Sequence, residues 1–198
     1  MRQVIAAGTR LLDQGGPDAL TIAAVAKAAG VAVGSVYQRF GTKEQLLAII
    51  QSEFTHTLLA EFKDRISQAH IAKTAHPTEI VRVAVTSVAE TFRAHKNLLR
   101  VFMLLGTHNE NVLKIGVEVS QQCRDAFSTL LLRAKSAIRR TDVSRCIDYS
   151  FRMVYAMCAH RVVHGEKLES DTALSWPHLI DELSSAVSMY LFGRIDRK

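Results

Sequence analysis

The sequence predicts an all-α fold, and three observations carry that prediction. Only three prolines and ten glycines interrupt 198 residues, alanine, leucine and the long charged side chains that suit helices are abundant, and strand-type alternation is nowhere sustained. Apolar residues recur instead at three- and four-residue spacing. With 48% hydrophobic residues the chain has ample material for a core.

The first helix fits Arg2 to about Gln14, where Val4, Ile5, Gly8, Leu11 and Leu12 share one stripe and "GGPD" supplies a glycine stop followed by a turn. The second begins at Thr21, whose hydroxyl can accept a bond from the free amides of a helix running to about Ala29, and Gly30 ends it. A short third helix runs from about Val33 to Phe40 and closes at Gly41. "TKEQLLAII" opens a fourth. Its Thr42 and Gln45 have capping-box spacing, and Leu47, Ile50, Phe54, Leu58 and Phe62 carry its apolar stripe past residue 60.

Beyond "AHPTE", with Pro77 suited to an opening turn, a helix is expected to run to about His95, and "KNLLRVFMLLG" reads as a short buried helix ending at Gly106. After "THNEN", whose asparagines suit capping, the spacing predicts one helix of about 28 residues from Val112 to Ile138. Arg139 and Arg140 sit at its end, where the helix dipole favours cations. From Asp142 to His164 the pattern has two apolar faces: Val143, Ile147, Phe151, Val154, Cys158 and Val162 on one, Tyr149, Met153, Met157 and His160 on the other. A helix apolar on two sides must bury both. "GEKLESDTALSW" reads as a polar loop and "PHLIDELSSAVSMYLFG" as a final helix.

The net charge of +6 favours polyanionic partners, but the excess is spread out: residues 1–50 hold five Lys/Arg against three Asp/Glu, and residues 51–198 hold twenty against sixteen. No apolar run reaches the roughly 18 residues that span a bilayer, and Arg10 and Asp13 break any signal-peptide pattern, so no membrane partner and a cytoplasmic location are expected. Cys123, Cys146 and Cys158 form no close pair and fit a reducing compartment as small core residues. No cofactor is implied. His160 and His164 stand four apart on one helix, but without a neighbouring carboxylate motif or CxxC partner no metal is expected there, and interaction with the helix C-terminus is the reading adopted.

The stretch "AKAAGVAVGSVYQRF", Ala26 to Phe40, joins a small apolar half to a dense polar one. Two helices meeting steeply across a short turn need a small residue at the crossing, a glycine at the turn and apolar residues facing the core. Ala26, Gly30 and Val36 occupy those places, with Val25, Ala29, Val31 and Phe40 completing the inward face. Ser35, Tyr37, Gln38 and Arg39 are then left outside. In a helix-turn-helix the second helix enters the DNA major groove. Gln38 could pair with an adenine edge, Ser35 with a base or phosphate, and Tyr37, Arg39 and Lys43 with the backbone.

At these residues the chain resembles the TetR family of transcriptional regulators, whose N-terminal motif is close to "T-x-x-x-I-A-x-x-A-G-V-S-x-G-T-L-Y-x-Y-F-x-S-K-E-x-L". Thr21 to Leu46 reads "TIAAVAKAAGVAVGSVYQRFGTKEQL" and matches at Thr21, Ala26, Ala29, Gly30, Val31, Gly34, Tyr37, Phe40, Lys43, Glu44 and Leu46. The resemblance implies a DNA-contacting set of Thr21, Val33, Gly34, Ser35, Tyr37, Gln38, Arg39 and Lys43, with Thr21 and Lys43 on phosphates and Gln38 at a base-reading position. Ala32 stands where Ser or Thr usually caps the recognition helix, Val33 where lysine is common, and Arg39 in place of an aromatic or histidine. The basic arm that some relatives place before the first helix is not expected here.

The resemblance further implies a DNA-binding domain at residues 1–46, joined through the long fourth helix to a ligand-binding and dimerisation domain at 47–198. The last two helices would pair in a homodimer on a near-palindromic double-stranded operator. The expected effector is a small, mostly apolar molecule that releases a repressor. Candidate ligand contacts are Phe102, Met103, His108, Cys123, Phe127, Tyr149, Met153, Met157 and His160, although such residues at helical spacing more often build core. The alternatives are a helical adaptor that binds protein alone and an all-α enzyme using Cys and His. No local signature supports an enzyme.

Overall fold

The computed structural model describes residues 1–72, 74–167 and 170–193. Among these the chain forms α-helices only, apart from one 3₁₀ segment. Two compact units divide it by packing: Met1–Leu58 with His95–Val119, and Leu59–Ala94 with Ser120 onward.

In the first unit, α1 (Arg2–Ala19) buries Val4, Ala7, Gly8 and Leu12 and is broken at Gly16, so the turn expected at "GGPD" is present as a kink before a last short turn. Helix α2 (Ile22–Ala29) is capped by Thr21, whose Oγ1 accepts from the Ala24 N–H at 3.1 Å, and is closed by Gly30 in the left-handed conformation. Helix α3 (Val33–Phe40) buries Val36 and Phe40. Helix α4 (Lys43–Gln68) opens on the expected reciprocal box: Gln45 Oε1 accepts from the Thr42 N–H at 2.9 Å, and Thr42 Oγ1 from the Gln45 N–H at 3.3 Å. The two bonds fix the angle at which the chain leaves α3.

Helix α6 (Lys96–Gly106) packs on α1, and its Phe102 stacks on Phe54 of α4 with ring centres 5.6 Å apart. Helix α7 (Glu110–Leu131) starts from Asn109, whose Oδ1 accepts from the Val112 N–H at 3.1 Å. The buried Gln51 of α4 donates to the Val112 carbonyl at 2.9 Å, while its own Oε1 is buried without a partner. Half of one amide thus ties α4 to the first turn of α7.

In the second unit, α5 (Pro77–Ala94) is the central element and packs against both α8 (Val143–His164) and α9 (Trp176–Phe192). Phe127 meets Phe151 edge-on at 5.5 Å, and Tyr155 lies 5.3 Å from Phe92 and 5.8 Å from Phe151. The single helix expected through Ile138 does not persist: α7 ends at Leu131 and tightens into a 3₁₀ segment, Leu132–Ala137. Distant bonds compete for the chain here. The Arg133 guanidinium donates to the Ile71 and Ala72 carbonyls, each at 3.0 Å, and the Arg139 N–H donates to the Leu191 carbonyl at 2.9 Å.

Two arginines hold α9 at its two ends. At its start, the buried Arg161 donates to the Leu174 carbonyl and, at 2.6 Å, to the Glu166 carboxylate, and it covers the Trp176 ring at 4.6 Å. At its end, Arg140 donates to the Tyr190 carbonyl at 2.5 Å and lies over the Tyr190 ring at 4.7 Å. Arg140 was expected to serve the end of its own helix; it serves the end of α9, where the same dipole argument applies.

Candidate nucleic-acid interface

The outward face of α3 is built by what its inward face buries. Val36 is 1% and Phe40 4% exposed where α3 packs on α2, and this anchoring turns Ser35, Tyr37, Gln38 and Arg39 to solvent. Tyr37 is 55% exposed. Val33, 43% exposed, and Gly34 also face outward in the first turn of α3. Ala32 has the extended backbone of a capping residue but makes no side-chain bond, leaving the first amides of α3 open for another acceptor.

Thr21 is exposed, and its hydroxyl oxygen accepts from the Ala24 amide while its proton remains available to a phosphate. Lys43 is half-buried and donates to the Pro17 carbonyl at 3.2 Å, so the position read as a phosphate contact also ties α4 back to the end of α1. Next to it, the backbone amide and the Thr42 hydroxyl hold the Glu44 carboxyl below its usual range, which keeps a negative charge in the first turn of α4.

The nine residues read as ligand contacts fall in different places. Phe102 is buried, Met103 half-buried and His108 exposed, all in the first unit. In the second, Phe127 is fully buried, Cys123, Met153 and His160 are half-buried, and Tyr149 and Met157 stand 50% and 47% exposed on α8. A shallow groove of about 250 Å³ in the second unit is lined by Arg65, Ala69, Arg82, Val83, Thr86, Ser87 and Glu90, none of them among the nine. Sequence reasoning passed over Tyr155, which sits in the aromatic cluster and is bonded to Ser120; burial pushes its hydroxyl up. Its place four residues after Phe151 was the available signal. Burial likewise pushes the Cys123 and Cys158 thiols up to about 12, so neither is a ready nucleophile near neutral pH.

Residues 4–50 match the family model of the bacterial regulatory proteins, tetR family. The chain carries a tetR-family N-terminal domain. The match spans α1 to the start of α4 and covers every residue of the exposed polar face just described. Solved structures extend the likeness of fold beyond the tetR-family domain. A protein of Mesorhizobium loti MAFF303099, described as a candidate TetR-family transcriptional regulator, superposes with a TM-score of 0.73 at 14% identity over 96% of this chain and 93% of that one. A transcriptional regulator from Rhodococcus sp. Rha1 gives 0.67 at 17% identity over 96% and 94%. FadR from Bacillus subtilis, a transcriptional regulator solved in complex with stearoyl-CoA, gives 0.67 at 18% over 98% and 99%. No curated protein is matched by sequence. The all-α architecture with a tetR-type N-terminal unit is therefore that of TetR structures, over 96% of this chain.

Proposed function

We propose that this chain is a ligand-responsive transcriptional regulator, a repressor that binds a near-palindromic operator as a homodimer and is released by a small, mostly apolar inducer. The observation that carries the proposal is the division of α3 into a buried anchor, Val36 and Phe40, and an exposed face of Ser35, Tyr37, Gln38 and Arg39. That face meets base edges through Gln38 and Ser35, while Thr21, Tyr37 and Lys43 address phosphates. Residues 1–46 do the binding and the remainder senses and dimerises.

Dimerisation is supported by apolar side chains left open on the last two helices. Tyr149 and Met157 on α8 and Met189 on α9, the last 73% exposed, stand with the exposed Ala156 and Ala186. A two-fold pairing would set two copies of α3 about 34 Å apart, one turn of DNA. For the effector, the half-buried Tyr155, at the edge of the buried cluster of Phe92, Phe127 and Phe151, supplies one polar handle, its hydroxyl. A regulator of like fold that binds stearoyl-CoA agrees with an apolar ligand. Release follows from linkage, because a ligand that fits better when α3 is displaced weakens DNA binding by the same free energy. Among the described residues no helix is long and apolar enough to cross a membrane.

Selection from random duplexes tests the reading. The protein is expected to enrich an inverted repeat, and Gln38→Ala and Tyr37→Phe to weaken binding to it, the former by about 1–3 kcal/mol if Gln38 reads a base, with helical content unchanged. Failure to enrich any duplex would overturn it.

A further inference from the structure

We infer that Gln51 is a positioning residue: its amide sets the register of α4 against the first turn of α7, and through α4 the placement of α3. The functional half of this statement rests on the reading of α3 as a DNA-contacting helix. Six polar side chains are buried among the described residues. The hydroxyls of Ser87, Thr91, Ser150 and Ser184 each bond back to a carbonyl one turn earlier in their own helix. Arg161 reaches the Leu174 carbonyl and Glu166, both outside the helices. Gln51 alone of the six bonds from one helix to another, its Nε2 donating to the Val112 carbonyl at 2.9 Å.

That bond adds little stability. Gln51 is 1% exposed, its Oε1 has no partner, and no water-sized space adjoins that oxygen. Burying an amide oxygen unpaired costs at least as much as one internal hydrogen bond gains, so the amide as a whole is no net asset to the fold. Reversing the amide is no remedy, because a carbonyl must be met by the NH₂ end. What the bond supplies is direction. Leu47, Ile50 and Phe54, on the same stretch of α4, are buried and apolar, and apolar contacts are non-directional, so a small slide or rotation of the helix trades one for another. The N–H···O bond does not tolerate such a shift. Breaking it leaves a second buried amide group unpaired, which disfavours the shifted arrangement by roughly tenfold or more. Only Gly41 and Thr42 separate the end of α3 from the start of α4, and the Thr42–Gln45 box fixes the turn between them, so α3 goes where α4 carries it.

The test compares the full-length parent with Gln51→Met, which keeps the length and apolar bulk of the side chain but has no donor. Ser87→Ala, which removes a buried hydroxyl bonded only within its own helix, is the control. Each is measured by thermal unfolding, by hydrogen exchange and by affinity for the duplex that the parent selects from a random pool. Gln51→Met should unfold at the same temperature as the parent or higher, because the unpaired oxygen is gone. Its amides at residues 110–117, the opening of α7, should exchange about fivefold faster, and its duplex affinity should fall by about two- to tenfold. Ser87→Ala should match the parent in exchange at 110–117 and in affinity. An ordinary stabilising bond gives a different pattern, a lower unfolding temperature with faster exchange throughout the chain. That pattern, unchanged exchange at 110–117, or a Gln51→Met protein that binds the selected duplex as the parent does would overturn the inference. A parent that selects no duplex removes the functional half together with the DNA reading, while the exchange result decides the register by itself.

Discussion

Replacing Gly41 by alanine should clearly destabilise the N-terminal unit, and the size of the effect can be worked from its backbone conformation and one bond. Gly41 joins α3 to α4 with φ +70° and ψ −108°, a conformation that L residues adopt at a cost of about 1–3 kcal/mol. A Cβ added there would overlap Gln45 Oε1, the acceptor that holds the Thr42 N–H. Moving that side chain opens half of the capping box, worth about 1 kcal/mol. Gly41→Ala should therefore cost about 3 kcal/mol. Gly30 is the control: its φ is +68° and ψ +34°, and an added Cβ would meet nothing within 4 Å. Gly30→Ala should cost about 1 kcal/mol, the left-handed penalty less the entropy removed from the unfolded chain. The assay is hydrogen exchange of the α2–α4 amides, with urea unfolding by circular dichroism, for both variants, Gln45→Ala and the pair Gly41→Ala/Gln45→Ala. Because Gln45→Ala has already opened the box, Gly41→Ala should cost about 1 kcal/mol less in that background. Equal costs in the two backgrounds, or Gly41→Ala no worse than Gly30→Ala, would exclude displacement of Gln45 as the source of the extra cost.

Two further outcomes are expected. Met157→Glu combined with Met189→Glu places charge on the open faces of α8 and α9; sedimentation should show a lighter species than the parent, whereas an unchanged mass would remove those faces from the interface. Because burial raises the Cys123 and Cys158 thiols from 9.0 to about 12, the folded chain holds protons that the unfolded chain releases. Stability should thus fall as pH rises from about 9 towards 12, and the fall should shrink in Cys123→Ser/Cys158→Ala, read by thermal unfolding across that range.

Much of the N-terminal unit was legible because its determinants are local. Thr21, Gly30, Gly41 and the Thr42–Gln45 pair act within four residues, and the family motif lies on the same stretch. The second apolar face of α8 was legible as a pattern, and the structure leaves Tyr149 and Met157 on it open. What could not be read are bonds between residues far apart in sequence. Arg140 reaches Tyr190 across fifty positions and Arg133 reaches Ile71 across 62, and nothing in either neighbourhood announces the partner. The same blindness made the 3₁₀ tail of α7 look like continued helix. For the ligand contacts, periodicity identifies inward positions but cannot say which of them border space, so a fully packed Phe127 and an exposed Met157 carried equal weight.

Trp176, the only tryptophan of the chain, lies beneath the Arg161 guanidinium at the first turn of α9. Intrinsic emission excited at the red edge of protein absorption therefore originates from one corner of the molecule. Loosening of that corner should alter colour and quenching without any attached dye, so effector candidates and assembly can be screened on the unlabelled protein.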